Sequence, residues 1–196
     1  MSDKEHVLLC LMGKTASGKD TLAKKLCERA GLHQVISYTT RPRRNNEGDT
    51  HIFISDEEYQ GLENSGEIAA FTQIGPYKYC CTVKQLYEND VYVIDPIGIQ
   101  HLRELNLPNL RLVTVYINTP DDIRKERALS RRGDDKLVFL KRDMAEREQF
   151  RTMLKTADFD YALSNVNIAK ACSVLRWIAT VEGVWKNNVE EGAICE

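Results

Sequence analysis

The chain has 196 residues, 42% of them hydrophobic, enough for one substantial core without disulfide support. Its 27 Lys and Arg stand against 29 Asp and Glu, so no global field draws it to nucleic acid or an anionic membrane, and any anion site has to be local. Nothing before the six cysteines resembles a signal peptide, Cys80 and Cys81 are adjacent rather than a CxxC pair, and the opening apolar run Val7 to Met12 is far short of the ~20 residues of a membrane helix. A cytoplasmic protein with mostly buried thiols, with no nucleic-acid or membrane partner and working as a monomer or homodimer, is expected.

HVLLCLM predicts a buried strand that runs into the glycine-rich stretch Gly13 to Lys19; Leu22, Leu26 and Ala30 then mark one helical face, ended by Gly31. QVISYTT at 34–40 predicts a second strand, broken by the turn-rich RPRRNNEGDT before HIFIS resumes extended structure. Ser55 and Glu58 form a capping box for a short helix, and EIAAFTQI and YKYCCTV read as strands around a turn at Gly75 and Pro76. VYVIDP at 91–96 returns to the core, followed by a helix near 98–105 and a strand near 111–118. Thr119 as N-cap and Pro120 in the first turn open a helix to about Arg132, Gly133 interrupts it, and a long charged helix runs to about Lys155. DYALSN is a last short strand, and Val174, Ile178, Val181 and Trp185 give the tail from Ile168 a docking face. This alternation predicts an α/β fold, a mainly parallel sheet flanked by helices with a β-rich insertion at 34–90.

GKTASGKDT almost completes the phosphate-binding pattern GxxxxGK[ST], with a strand before and a helix after. Backbone N–H groups of such a turn point at an anion, the helix N-terminus adds its positive dipole, and Lys19 would reach the β and γ phosphates of a nucleoside triphosphate. Gly13, Ala16, Ser17, Gly18, Lys19, Asp20 and Thr21 are therefore the candidate ATP site. Asp20 stands where a hydroxyl residue belongs, and a carboxylate beside a triphosphate is repelled unless a cation lies between them. Mg²⁺ accepts carboxylate or hydroxyl oxygens, so Asp20, or Thr21 in its place, is a candidate ligand, with Asp95 at the end of VYVID as the second; a plain helix cap is the alternative for Asp20. SYTTRPRR places two threonines and three arginines within eight residues, a set that suits an acceptor phosphate bound bidentately.

On these motifs the chain resembles the guanylate kinase family, in which a P-loop is followed by SxTTRxxR and a small monophosphate-binding subdomain, over about His6 to Ile178. The resemblance implies a P-loop NTPase-type fold and transfer of the γ-phosphoryl of ATP to a nucleoside monophosphate, with Mg²⁺. It also implies a core at 5–33, 91–125 and 156–186, an acceptor unit at 34–90 and a helical lid at 126–155. By matching position Ser37, Arg41, Arg44 and Tyr79 would bind the acceptor phosphate, Arg132 and Arg142 would be the catalytic lid arginines beside Lys19, and Asn165 would lie near the ATP purine. The base-facing positions depart from the family. His51 replaces a tyrosine, Ala70 a guanine-reading glutamate, Cys81 a serine and Ile97 a second acid. Each lost charged hydrogen bond is worth roughly 1.5 to 3 kcal/mol, or about 10 to 100 fold in discrimination, so strict GMP specificity is not expected. SGKD and the histidine before IFIS are also similar to ribose 1,5-bisphosphate phosphokinase, which makes a base-free sugar phosphate the alternative acceptor. A non-catalytic interaction module has no use for Lys19, the acceptor arginines and the lid arginines together.

Overall fold

The computed structural model describes residues 5–43, 50–130 and 136–185. Strand β1 (His6–Met12) lies between β6 (Val91–Val93) and β7 (Leu110–Asn118), β8 (Tyr161–Ser164) flanks β7, and all pairings are parallel. A parallel strand covered on both faces reads as an unbroken apolar run, which is why VLLCLM does not alternate. Leu8, Cys10 and Met12 face one core, with Tyr92, Tyr116, Ile99 and Leu102 of α4 (Pro96–Leu105), and Phe150 and Met153 of α6 (Lys136–Thr156). Leu9 and Leu11 face the other, covered by Leu22 and Leu26 of α1 (Lys19–Ala30) and Leu175 and Ile178 of α7 (Ile168–Val181). No helix among the described residues is long and apolar enough to cross a membrane.

A second sheet, in the order β3 (Ile52–Phe53), β2 (Tyr38–Thr39), β5 (Tyr77–Thr82), β4 (Ile68–Ile74), has one parallel and two antiparallel pairings. The capping box at Ser55 and Glu58 is present and opens α2 (Asp56–Asn64). A second box, Thr82 with Gln85, opens α3 (Val83–Glu88). Helix α4 packs on β4, and a Cβ at Gly98 would come within 2.7 Å of Ile94, just after β6, and 3.7 Å of Thr72 Oγ1 on β4.

Three expectations need correction. Residues 34–40 are not one strand: Gln34 bridges to Val91 of the first sheet, the Ile36 carbonyl accepts from the Gln85 side chain at 2.8 Å, and only Tyr38 and Thr39 enter the second sheet. The segment crosses between sheets. At α5 (Asp121–Ser130) the Pro120 carbonyl accepts from the Arg124 N–H, so Pro120 rather than Thr119 stands at the helix entry. The docking face of α7 is Ala171, Leu175, Ile178 and Ala179; Ile178 and Trp185 pack on the core as expected, but Val174 and Val181 are exposed.

Candidate functional site

The turn after β1 takes its shape from glycine. Gly18 sits at φ 86° as the N-cap of α1, and a Cβ there would lie 2.4 Å from the Asn165 amide nitrogen. At Gly13 a Cβ would meet Ser17 Oγ at 2.5 Å. Both positions therefore need glycine, and Ala16 also holds a positive φ of 61°. Lys19 is the first residue of α1, where the backbone N–H groups have no partner inside the helix. Asp20 does not cap this helix. It lies in the first turn, 70% exposed, with its carboxylate 3.9 Å from the Lys19 ammonium.

The loop is held from behind by side chains of later elements. The Ser17 carbonyl accepts from Asn165 Nδ2 at 2.8 Å, Thr119 Oγ1 at 3.0 Å and Arg127 Nη1 at 3.3 Å. Thr15 is gripped at both ends: its carbonyl accepts from Arg124 Nη1 at 2.9 Å, and its N–H donates to the Glu146 carboxylate of α6. Arg124 is only 1% exposed, bonds Asp121 and Asp143 through Nη2 at 2.8 and 2.7 Å, and lies over the Phe139 ring. From sequence, Thr119 is expected only as a helix cap, and Arg124, Arg127 and Glu146 do not stand out. For the two arginines a signal existed, since their spacing of three puts both on one side of α5.

The two candidate metal ligands differ in engagement. Asp95 caps α4, its Oδ1 accepting from the Gly98 N–H at 2.9 Å, while Asp20 projects outward beside Lys19. Among the described residues no group of three or more His, Cys, Asp or Glu is arranged to hold a metal by itself. That donor set fits Mg²⁺, which protein sites hold through one or two carboxylates while substrate phosphates and waters complete the octahedron.

Around the second sheet the acceptor candidates assemble. Arg41 is 5% exposed, with Nη2 3.4 Å from His51 Nδ1. Its guanidinium and that of Arg43 both lie over Phe53, at 5.1 and 4.6 Å, and His51 meets Tyr79 edge-on at 5.7 Å. The paired threonines fix this corner: Thr39 Oγ1 donates to the Lys78 carbonyl and Thr40 Oγ1 accepts from the Lys78 N–H. Ser37 Oγ lies 3.2 Å from the hydroxyl of Tyr92, a buried residue of β6 that the sequence did not single out. Ala70 and Cys81 are paired across β4 and β5 and buried, with Tyr92 beside the Cys81 thiol. Burial pushes that thiol up to about 11. Ile97 is exposed on the wall of a cleft of about 310 Å³ between α4 and α6, whose polar lining includes Gln100, Glu148, Gln149 and Asp158. Arg142 is half-buried on α6; Arg44 and Arg132 lie outside the described residues.

A glycine-rich loop between a buried parallel strand and a helix, beside a second sheet with Arg41 and Arg43 packed over its Phe53, marks an α/β protein of P-loop NTPase type. The guanylate kinase family profile matches residues 5–181, and the chain belongs to that family. Similar proteins include the guanylate kinase of Legionella pneumophila strain Paris, 29% identical over 91% of this chain and 87% of its own. The guanylate kinase of Helicobacter pylori strain 26695 is 31% identical over 88% and 85%. In fold, the crystal structure of guanylate kinase from Anaplasma phagocytophilum superposes with a TM-score of 0.66, covering 93% of this chain and 88% of that one at 23% identity.

Proposed function

We propose that the chain transfers the γ-phosphoryl group of ATP to a nucleoside monophosphate, with a base preference that is not strictly GMP. The observation that carries this is the loop itself: Gly18 at φ 86° opens α1 at Lys19, with Ser17 and Thr15 braced from behind. Relatives named guanylate kinase over nearly the whole length support the reaction class. In this reading Lys19 and the loop N–H groups hold the donor phosphates, and Asn165 keeps the loop in shape. Arg41, Arg44, Ser37 and Tyr79 hold the acceptor phosphate, and His51, Ala70 and Cys81 face the rest of the acceptor, within a unit spanning 34–90. Arg132 and Arg142, from a lid at 126–155, stabilise charge on the transferred group and exclude water. Asp20 and Asp95 would help hold Mg²⁺, which when bound neutralises phosphate charge. Positioning and electrostatics suffice, and no side chain acts as nucleophile.

Burial of Ala70 and Cys81 favours a second acceptor, a base-free sugar phosphate, because neither residue offers a charged group to a base. ADP release from MgATP against GMP, dGMP, AMP, CMP, UMP, dTMP and ribose 1,5-bisphosphate, with Lys19→Ala as the blank, decides between them. Turnover on monophosphates besides GMP that Lys19→Ala abolishes supports the proposal; turnover on GMP alone keeps the reaction and overturns the base preference, turnover on the bisphosphate alone moves the acceptor to the second reading, and silence across the panel overturns both.

A further inference from the structure

The grip on Thr15 sets an acid against an anion site. Its N–H belongs to the loop whose backbone donors cradle phosphate, and it donates to the Glu146 carboxylate on α6. Glu146 is also close enough to Lys19 and Arg124 for both cations to favour its charged form. Burial works the other way and on balance pushes the Glu146 carboxyl up. One N–H makes one strong hydrogen bond, and two anions beside one ammonium repel each other. We infer that Glu146 is a further residue of the donor site: its carboxylate and a phosphate oxygen of the donor compete for the Thr15 N–H and the Lys19 charge, so the donor binds by displacing it. Glu146 lies on α6, the helix that also carries Asp143 against Arg124 and Arg142 of the proposed lid.

This rests on the donor-site reading of the loop, and its sign separates it from a structural role. A carboxylate that merely props the loop would leave the donor weaker when removed, whereas a competitor leaves it tighter. The experiment is calorimetric titration of MgATP into wild type, Glu146→Gln, Glu146→Ala and Lys19→Ala. Glu146→Gln keeps the size and an acceptor for Thr15 but not the charge, so it carries the test if the alanine variant fails to fold. The expected result is a Kd lower by about 3 to 10 fold for Glu146→Gln and by about tenfold or more for Glu146→Ala. Binding equal to or weaker than wild type in Glu146→Gln overturns the competition and leaves the donor site standing, provided Lys19→Ala binds poorly. Absence of MgATP binding to wild type overturns the donor site and the competition with it.

Discussion

The side-chain amide of Asn165, just beyond β8, donates to the main-chain carbonyl of Ser17 at 2.8 Å across 148 residues of chain. The amide cannot be turned round, because that would set its oxygen against the Ser17 oxygen. Asn165 is 1% exposed, so water does not replace the bond when it is lost. Asn165→Ala is expected to destabilise the fold by about 1 to 2 kcal/mol, since Thr119 and Arg127 still reach the same carbonyl. It should also raise the KM for ATP more than that for the acceptor. Asn165→Asp, which faces a carboxylate toward the carbonyl, should be worse on both counts. Urea unfolding together with initial rates at varied ATP checks this; an acceptor KM that rises equally would show that the contact does not act through the loop.

Arg41 packs on Phe53 and meets His51, so its guanidinium is fixed before any ligand arrives. A preset fork loses little freedom on binding phosphate. Arg41→Ala should raise the acceptor KM by about 10 to 100 fold, the worth of a charged hydrogen bond, with the ATP KM changed far less. Arg41→Lys should recover only part, since an ammonium cannot make two parallel bonds. Steady-state rates with each substrate varied separately provide the check, and equal effects on both KM values would remove Arg41 from the acceptor site.

What the sequence disclosed and what it concealed divide by range. The loop from Gly13 to Lys19 and the capping box at Ser55 were legible because their signals lie within a few residues, where glycine and capping chemistry act. The brace on Ser17 was not, because Thr119, Arg127 and Asn165 meet it only once three strands of the sheet are in order. On α7 the apolar residues fall on more than one face: Val174, Trp177 and Val181 make a stripe as regular as Leu175, Ile178 and Ala179. Periodicity cannot choose between two such stripes; packing against Leu22 and Leu26 does. Residues 34–40 misled for another reason. β-Propensity reports fit to a pleated surface and does not reveal that Gln34 and Tyr38 join different sheets.

The thiols of β1 and β5 have chemistry set by burial. Cys10 is pushed far above its ordinary range, Cys80 up to about 12 and Cys81 up to about 11, in each case chiefly by desolvation. At pH 8 a thiol of pKa 11 is ionised in only about one molecule in a thousand, and the thiolate is the species that alkylates. Brief iodoacetamide treatment should therefore leave Cys10, Cys80 and Cys81 unmodified in the folded protein and label all three in urea. Peptide mass spectrometry gives the answer; rapid native labelling at Cys81 would show that β5 opens readily.

Glu182, following α7, ties the tail to the sheet: its carboxylate accepts from the Tyr161 hydroxyl and from Arg111 Nη1 at 2.6 Å, and Arg111 Nη2 donates to its main-chain carbonyl at 2.8 Å. The Tyr161 and Arg111 hydrogen bonds hold the Glu182 carboxyl below its ordinary value. A folded-state pKa below the unfolded one means that the unfolded chain binds more protons in between, so this stabilisation is fully present above the unfolded value of about 4.3 and is lost as pH falls through the depressed one. Arg111 is 39% exposed, so water screens the pair and Glu182→Gln should cost only about 1 to 2 kcal/mol at pH 7. That cost should shrink as the pH falls below about 4.3, where the unfolded chain takes up the proton first, and vanish once the folded carboxyl is protonated as well. Denaturant unfolding of both proteins at pH 7, 5 and 3.5 measures the difference, and a gap that persists unchanged at pH 3.5 would mean that packing, not the carboxylate charge, anchors the tail.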